Sequence, residues 1–312
     1  MNISERNSSP HQPVLYHESL KYLQPKPKGK YIDGTLGAGG HAEGILTSSA
    51  PDGLLLGLEL DDQAINIARS KLSAFEDRCF IRKASYVNME NQLEALGWDY
   101  VDGVLLDLGL SSMQLDTADR GFSFLREAPL DMRFDPQQGK TAADLLNSLP
   151  EKEISDIIWE YSEDPKSRQI ARLIIEKRPI FTTTELANLI LKVYHGKRGK
   201  THPATRTFQA LRIEVNNEFE VLKKGLEVSL NVVRSSGRIA VITFHSLEDR
   251  MVKQFFQRES TNCICPSEQP ICTCGHQAVL KVITKKAIKP SQEEIITNSR
   301  ARSAKLRVAE KI

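Results

Sequence analysis

Residues 31–41 read Tyr31-Ile32-Asp33-Gly34-Thr35-Leu36-Gly37-Ala38-Gly39-Gly40-His41: a short apolar approach, an acid, and then a run rich in glycine. Glycine there lets the backbone turn with positive φ and lets a ligand touch the main chain. A second apolar run, Leu54-Leu55-Leu56-Gly57-Leu58, ends in Glu59, at about the twenty-residue spacing where an acid accepts hydrogen bonds from ribose hydroxyls in a doubly wound α/β fold. Strand, glycine turn, helix and downstream acid in this order predict a nucleoside-containing cofactor lying across the carboxyl ends of the first two strands. The alternative is a glycine-rich turn that holds no ligand.

Gly37-x-Gly39-x-x-Ala42 also satisfies the dinucleotide fingerprint. Asp33 favours S-adenosylmethionine over NAD. A carboxylate just ahead of the loop helps to hold an ammonium or sulfonium group and repels a pyrophosphate. These residues read as a methyltransferase, with a dinucleotide-dependent oxidoreductase as the competing class.

The rest of the first third alternates strand and helix signals. Arg78–Lys83 and Gly103–Asp107 read as further short strands, and 62–74 reads as a helix. From about Gln114 to Val215 no strand signal appears. Amphipathic helices are expected instead at 142–149, 151–161, 166–177 and 184–194, the last with N-cap candidates in Thr182-Thr183-Thr184-Glu185. A long helix from Glu214 to Val233 then leads into strands at 237–244, 281–286 and 304–309. The expected architecture is a Rossmann-like domain of residues 1–113 and 216–312, a parallel sheet with helices on both faces, interrupted by an all-helical insertion at 114–215.

The chain has 312 residues, 40% hydrophobic and 26% charged, with a net charge of +2, which is ordinary for a globular protein with ample core. No run of eighteen apolar residues and no signal-peptide core occur, so a cytoplasmic protein without membrane contact is expected. Charge distribution says more than the sum. No acid lies between Leu186 and Ile213, while Lys192, Lys197, Arg198, Lys200, Arg206 and Arg212 do, with His195 and His202. From Lys281 onward basic residues again exceed acidic ones. Each patch alone reads as a solvated loop or terminus; together, beside a methyltransferase core, they suggest RNA.

Asp107 ends the fourth strand, where a carboxylate can orient a nucleophile or accept its proton, or else simply cap the next helix. Gln114 lies further along the chain, within reach of the same crevice. Arg120-Gly121-Phe122-Ser123-Phe124 and Asp131-Met132-Arg133 offer cations and aromatic rings suited to phosphate and a stacked base, or a packed aromatic turn with an ion pair. His245 and Ser246 follow the fifth strand and are weaker catalytic candidates. Ser246 with Asp249 fits a capping box loosely, since the usual partner is Glu or Gln. Cys263, Cys265, Cys272 and Cys274 are spaced C-x-C-x6-C-x-C. Structural zinc pairs are usually separated by two to four residues, so a reduced cysteine-rich loop is the expectation, with structural zinc as the alternative. No metal is expected to take part in the chemistry.

The segments His11-x-x-Val14-Leu15, Asp33-Gly34-Thr35-x-Gly37-x-Gly39-Gly40-His41, Leu106-Asp107-Leu108-Gly109-x-Ser111-Ser112, Arg120–Phe124, Pro129–Arg133, His202–Ile213, Phe244–Arg250 and Arg300–Ser303 together resemble the RsmH (MraW) family of bacterial 16S ribosomal RNA cytosine-N4 methyltransferases, over nearly the whole chain. The resemblance implies S-adenosylmethionine as cofactor and N4-methylation of a decoding-centre (P-site) cytidine, on the small subunit or a late assembly intermediate, by a monomer or homodimer. It implies cofactor contacts from Gly39, Gly40 and His41, ribose binding by Glu59, an adenine-flanking Tyr86, and a pocket completed by Asp107 and Gln114. Glu59 stands where the commoner family residue is Asp, and Tyr86 where it is often Phe. The Asn/Asp-Pro-Pro-aromatic grip of many amino-methyltransferases is replaced by Asp107-Leu108-Gly109-Leu110. The helical insertion is expected to hold RNA, through Arg120, Phe122, Phe124, Arg133, Lys197, Arg198, Lys200, Arg206 and Arg212. A non-catalytic RNA-binding protein remains the second competing class.

Overall fold

A computed structural model describes residues 13–110, 118–197, 202–266, 268–269 and 271–312. His11, Ser111, Ser112, Gln114, Arg198 and Lys200 lie outside the described residues. The chain divides into two compact units, Met1–Gly109 with Lys223–Ile312, and Leu110–Leu222.

In the first unit the strands are β1 (Lys30–Asp33), β2 (Leu54–Glu59), β3 (Cys79–Lys83), β4 (Val101–Asp107), β5 (Val233–Thr243), β6 (Leu280–Val282) and β7 (Lys305–Lys311). Among the described residues they form one seven-stranded sheet in the order β3-β2-β1-β4-β5-β7-β6. The strands from β3 to β5 are parallel, and β7 runs antiparallel to both its neighbours. Near-continuous apolar runs suit strands covered on both faces. Ile32, Leu55, Leu56, Val104, Leu105, Leu106 and Ile239 through Ile242 are all buried accordingly. α1 (Tyr16–Leu23) precedes β1, and α2 (Gly40–Ser48), α3 (Asp62–Lys71) and α4 (Met89–Ala95) run between the strands that follow. The Asp61 carboxylate starts α3 by accepting from the Gln63 N–H at 2.9 Å.

Strand order reverses between β1 and β4. The connections leave in opposite directions there and open a crevice beyond the carboxyl ends, where ligands bind in folds of this class. The antiparallel β7, wedged between β5 and β6, departs from the all-parallel sheet expected from sequence and from the dinucleotide order 3-2-1-4-5-6.

The second unit is helical: α5 (Ala142–Ser148), α6 (Glu151–Ser162), α7 (Ser167–Lys177), α8 (Thr183–Val193) and α9 (Ala204–Val215). Their apolar stripes meet in one core that includes Met132, Leu146, Ile158, Ile170, Ile174, Leu186, Ile190 and Leu211. Burying each such side chain contributes roughly 1.5–3 kcal/mol. Reciprocal capping boxes, Thr141 with Asp144 and Thr182 with Glu185, satisfy the N-terminal N–H groups of α5 and α8.

The single long helix expected over 214–233 is two helices, α9 and α10 (Glu218–Val232), broken at Asn216 and Asn217. Asn217 takes a φ of 50°, a conformation that Asn tolerates better than most residues. The Asn216 side chain accepts from the Phe134 N–H at 2.7 Å and donates to the Met132 carbonyl at 2.8 Å, fixing the break to the preceding loop. In the first unit again, α11 spans Ser246–Glu259 and α12 spans Gln292–Thr297. β6 is shorter than the expected 281–286 because the Thr284 hydroxyl takes the Val308 N–H at 2.8 Å, and the backbone ladder ends there.

Candidate active site

The glycine loop between β1 and α2 is strung between the carboxyl ends of β4 and β2. Gly34 N–H donates to the Leu105 carbonyl and Leu36 N–H to the Leu58 carbonyl, both at 2.9 Å. The Thr35 hydroxyl accepts from the Asp107 N–H at 2.6 Å, so this loop fixes the backbone at the end of β4. On the other side, Glu59 accepts from the Gly37 N–H at 2.9 Å through one oxygen, and from Leu60 and Asp61 N–H at 2.8 and 3.0 Å through the other. Burial raises the Glu59 carboxyl above its usual range against the pull of those three donors. Glu59 therefore orders the loop from the carboxyl end of β2.

Gly37 has a φ of 51°, and a Cβ there would meet nothing nearer than the Thr35 carbonyl oxygen at 3.9 Å. That space suits a ligand lying on the main chain. Gly39 is different. Its φ is 81°, and a Cβ would press on Leu72 at 3.0 Å, so this glycine permits close packing on the chain following α3 rather than clearing room for a ligand.

Asp33 is 1% exposed, and burial pushes its carboxyl up to about 7, opposed by His41 and by the Thr35 N–H that it accepts at 3.2 Å. A buried carboxylate of this kind is stabilised by an arriving cation. His41, in the first turn of α2, lies with Nε2 3.6 Å from Asp107 Oδ2 and stacks on Tyr16, with ring centroids 6.2 Å apart. Burial disfavours its imidazolium, but Asp107 and Asp33 outweigh that and raise its pKa. Asp107 Oδ1 is buried with no hydrogen-bond partner among the described residues, and the buried His41 ring nitrogens make no hydrogen bond of ordinary length, the Asp107 carboxylate standing off at 3.6 Å. Unused polar atoms in a crevice mark a place where a polar ligand completes the structure. With the open space over Gly37 and the cation-seeking Asp33, they fit the ammonium, sulfonium and ribose of S-adenosylmethionine, and the carboxylates disfavour a pyrophosphate.

Tyr86 opens the short helical turn Tyr86–Asn88. A Cβ at Gly225 of α10 would overlap its ring, so Gly225 lets the helix pass close over Tyr86. Thr35, Tyr16 and Gly225 escaped the sequence reading. Only the isolated glycine inside a helical pattern signalled the last.

His245 has another task. It is the N-cap of α11: its Nδ1 accepts from the Glu248 N–H at 3.4 Å, while Glu248 accepts from Phe244 and His245 N–H at 2.8 and 3.2 Å. Its Nε2 stands 3.0 Å from Glu248 Oε1. The capping box is therefore His245 with Glu248, not Ser246 with Asp249. Ser246 is the exposed first residue of α11, and Asp249 pairs with Lys305 and Arg307 at 2.9 and 2.6 Å. His245 remains close to the crevice along the chain, three residues beyond Ile242, the β5 partner of Asp107.

In the helical unit several residues expected to face RNA are occupied within the protein. Phe122 is 8% exposed and belongs to the core. Phe124 packs between His202 and Phe208, each ring centroid 4.8 Å away. Arg120 donates to the carbonyls of Arg133 and Phe134 at 3.0 and 2.8 Å, Arg133 forks onto Asp131 at 2.8 Å, and Arg212 forks onto Glu218 at 2.7 and 2.9 Å. The Arg133 guanidinium outweighs burial and holds the Asp131 carboxyl below its usual range. Lys197 and Arg206, by contrast, are exposed, as is Lys192.

The sequence profile of the MraW methylase family matches residues 8–312. The ribosomal RNA small subunit methyltransferase H of Dehalococcoides mccartyi is 50% identical over 303 residues, covering 97% of this chain and 87% of that protein. Its namesake in Carboxydothermus hydrogenoformans is 51% identical over 306 residues, covering 97% and 98%. Among solved structures, an rRNA methylase from Streptococcus thermophilus superposes with a TM-score of 0.44 at 10% identity, covering 98% of this chain and 99% of that one.

Proposed function

The chain belongs to the MraW methylase family, and from that premise we propose that it methylates the exocyclic N4 of one decoding-centre cytidine in 16S ribosomal RNA. The 50% identity over 97% of the chain to a ribosomal RNA small subunit methyltransferase supports the substrate class. The substrate would be the small subunit or a late assembly intermediate, which places the activity in the cytoplasm. No helix among the described residues is long and apolar enough to cross a membrane.

S-adenosylmethionine, when bound, supplies an electrophilic methyl group on its sulfonium. The observation that carries the reading is the buried, unpartnered Oδ1 of Asp107 at the end of β4, beside the glycine loop. Cytosine N4 is a poor nucleophile because its lone pair is conjugated with the ring. A fixed carboxylate accepting an N4–H draws that amine toward tetrahedral geometry and points its lone pair, a gain of orientation rather than of acid strength. Thr35 holds the Asp107 backbone, and His41 at 3.6 Å balances its charge. Asp33 faces the cationic part of the donor, and Glu59 and Tyr86 hold its nucleoside. The cytidine must leave its stack to reach this crevice. Exposed Lys192, Lys197 and Arg206 supply phosphate contacts from the helical unit.

The test is mass spectrometry of 16S ribosomal RNA from cells lacking the gene, paired with methyl transfer by the purified protein to small subunits from those cells. Loss of one methyl on one cytidine, restored by wild-type protein and not by Asp107→Asn, is the expected result. An unchanged methylation pattern overturns the assignment.

A further inference from the structure

The chain between α11 and β6 carries four of the five cysteines, and all are free thiols. None of the described residues from Thr261 to His276 is buried, and Ile264 and Ile271 are 41% and 73% exposed, so no apolar core gathers this loop. Yet its four sulfur atoms converge. Cys272 and Cys274 have their Sγ atoms 3.6 Å apart, Cys274 and Cys263 theirs 4.0 Å apart, and all four lie within 4.8 Å of one another.

A tetrahedral tetrathiolate zinc has Zn–S bonds of about 2.3 Å, which sets its S···S edges at about 3.8 Å. The two separations of 3.6 and 4.0 Å bracket that edge, and no pair needs to contract by more than about an ångström to match it. Spacing by a single residue, shorter than the usual two to four, nonetheless sets Cys272 and Cys274 at a ligating separation. The two Cys-x-Cys arms are also tied together independently of any ion. The Ile264 N–H of the first arm donates to Cys274 Sγ of the second at 3.4 Å, while Gln269 Nε2, in the link between the arms, braces the second by donating to the Ile271 carbonyl and the Thr273 hydroxyl at 3.0 and 2.8 Å. The ends are anchored where the Ala278 N–H meets the Asn262 side chain at 3.1 Å.

We propose that Cys263, Cys265, Cys272 and Cys274 form a closed site for one zinc ion, which staples the loop leading from α11 into β6. Four protein thiolates leave no open coordination position, so the ion is structural and takes no part in methyl transfer. Its binding free energy goes into ordering a loop that has no core of its own.

The full-length protein, purified under reducing conditions, is expected to hold one zinc per chain by elemental analysis. After the zinc is stripped with a chelator, the same chain should take up one equivalent of Zn²⁺ alone. Substitution with Co²⁺ should give the thiolate-to-cobalt charge-transfer absorption and the intense visible bands of a tetrahedral site. Alkylation mapped by mass spectrometry should find these four thiols protected until the chelator is added. Cys272→Ser should lower zinc affinity by roughly tenfold or more, whereas Cys79→Ser should leave it unchanged. Three results overturn the proposal: no uptake by the stripped wild-type chain, uptake that survives Cys272→Ser with Cys274→Ser, or isolation of the four cysteines as disulfides from reducing preparations. The wild-type stripping and uptake decide the matter even if the variants fail to fold.

Discussion

Replacing Asp33 by Asn should move cofactor affinity and protein stability in opposite directions. The carboxyl is buried and pushed up to about 7 from an ordinary value of 3.8. Without a cationic ligand, folding therefore holds a group that would rather ionise in water. A carboxyl whose folded pKa is raised gives stability that is fully present below its unfolded pKa and is lost as pH rises through the folded value. Over that window, from about 4 to about 7, the loss amounts to at most about 4 kcal/mol. Asn keeps the shape and removes the ionisation, so Asp33→Asn should be more stable than wild type at pH 8 and differ little at pH 4. Cofactor binding should respond in the opposite sense. A cationic ligand favours the carboxylate, so binding expels the proton. With a free-state pKa of about 7, about one-tenth of the wild-type sites are ionised at pH 6 and about nine-tenths at pH 8. S-adenosylmethionine should then bind about tenfold more tightly at pH 8 than at pH 6, releasing close to one proton at the lower pH. Calorimetry in two buffers of different ionisation heat counts that proton, and denaturant titration gives the stability. Asp33→Asn should bind more weakly at pH 8 and lose most of the pH dependence, any residue of it belonging to His41. A variant that keeps the full tenfold pH dependence, or that is no more stable than wild type at pH 8, refutes the reasoning.

Other expectations rest on single contacts. Thr35→Val removes the acceptor of the Asp107 N–H and should cost about 1–3 kcal/mol in denaturant titration, with methyl transfer falling further than cofactor binding. His245→Ala should cost about 0.5–2 kcal/mol through loss of the α11 cap, and His245→Asn should restore stability; methylation by His245→Asn at the wild-type rate would show the histidine to be a cap alone. Gly39→Val should lower the melting temperature through its left-handed backbone and Leu72, whereas Gly37→Ala shares the left-handed strain but meets no neighbour, so it should lower the melting temperature less while also weakening cofactor binding; equal melting temperatures for the two would contradict the geometry. Replacing Lys192, Lys197 and Arg206 together by Ala should flatten the salt dependence of small-subunit binding by a slope of up to about 2–3, leaving S-adenosylmethionine affinity unchanged.

The parallel half of the sheet could be read from the sequence because its signals are local. Each of β1, β2 and β4 is an apolar run ending in an acid at the crevice: Asp33, Glu59 and Asp107. The antiparallel course of β7 could not be read, since strand direction is set by where a chain returns rather than by its residues. In the helical unit the sequence shows that Phe122 is aromatic and Arg212 basic, but not that the first sits in a core and the second faces Glu218. Those outcomes depend on tertiary partners distant along the chain or on a fold back after a break such as Asn217. His245 shows the same ambiguity. A histidine before a helix can serve chemistry or hold an N-terminus, and only the position of Glu248 reveals the cap. The cysteine spacing likewise says nothing of how close the two Cys-x-Cys arms come, since that depends on how the loop between them folds back.

The position of β7 bears on how the chain is made. Ribosomes release the chain from its amino end, and Lys305–Lys311 emerge after every other strand of the sheet. Until then the β5 segment Ile239-Ala240-Val241-Ile242 has backbone groups facing β4 on one side and nothing on the other. An open apolar edge of this kind recruits other chains. Nascent protein should therefore stay prone to aggregation until Lys305–Lys311 have cleared the exit tunnel, and a chain cut short after Asn298 should accumulate as insoluble material even though Asp33, Glu59 and Asp107 are all present in it.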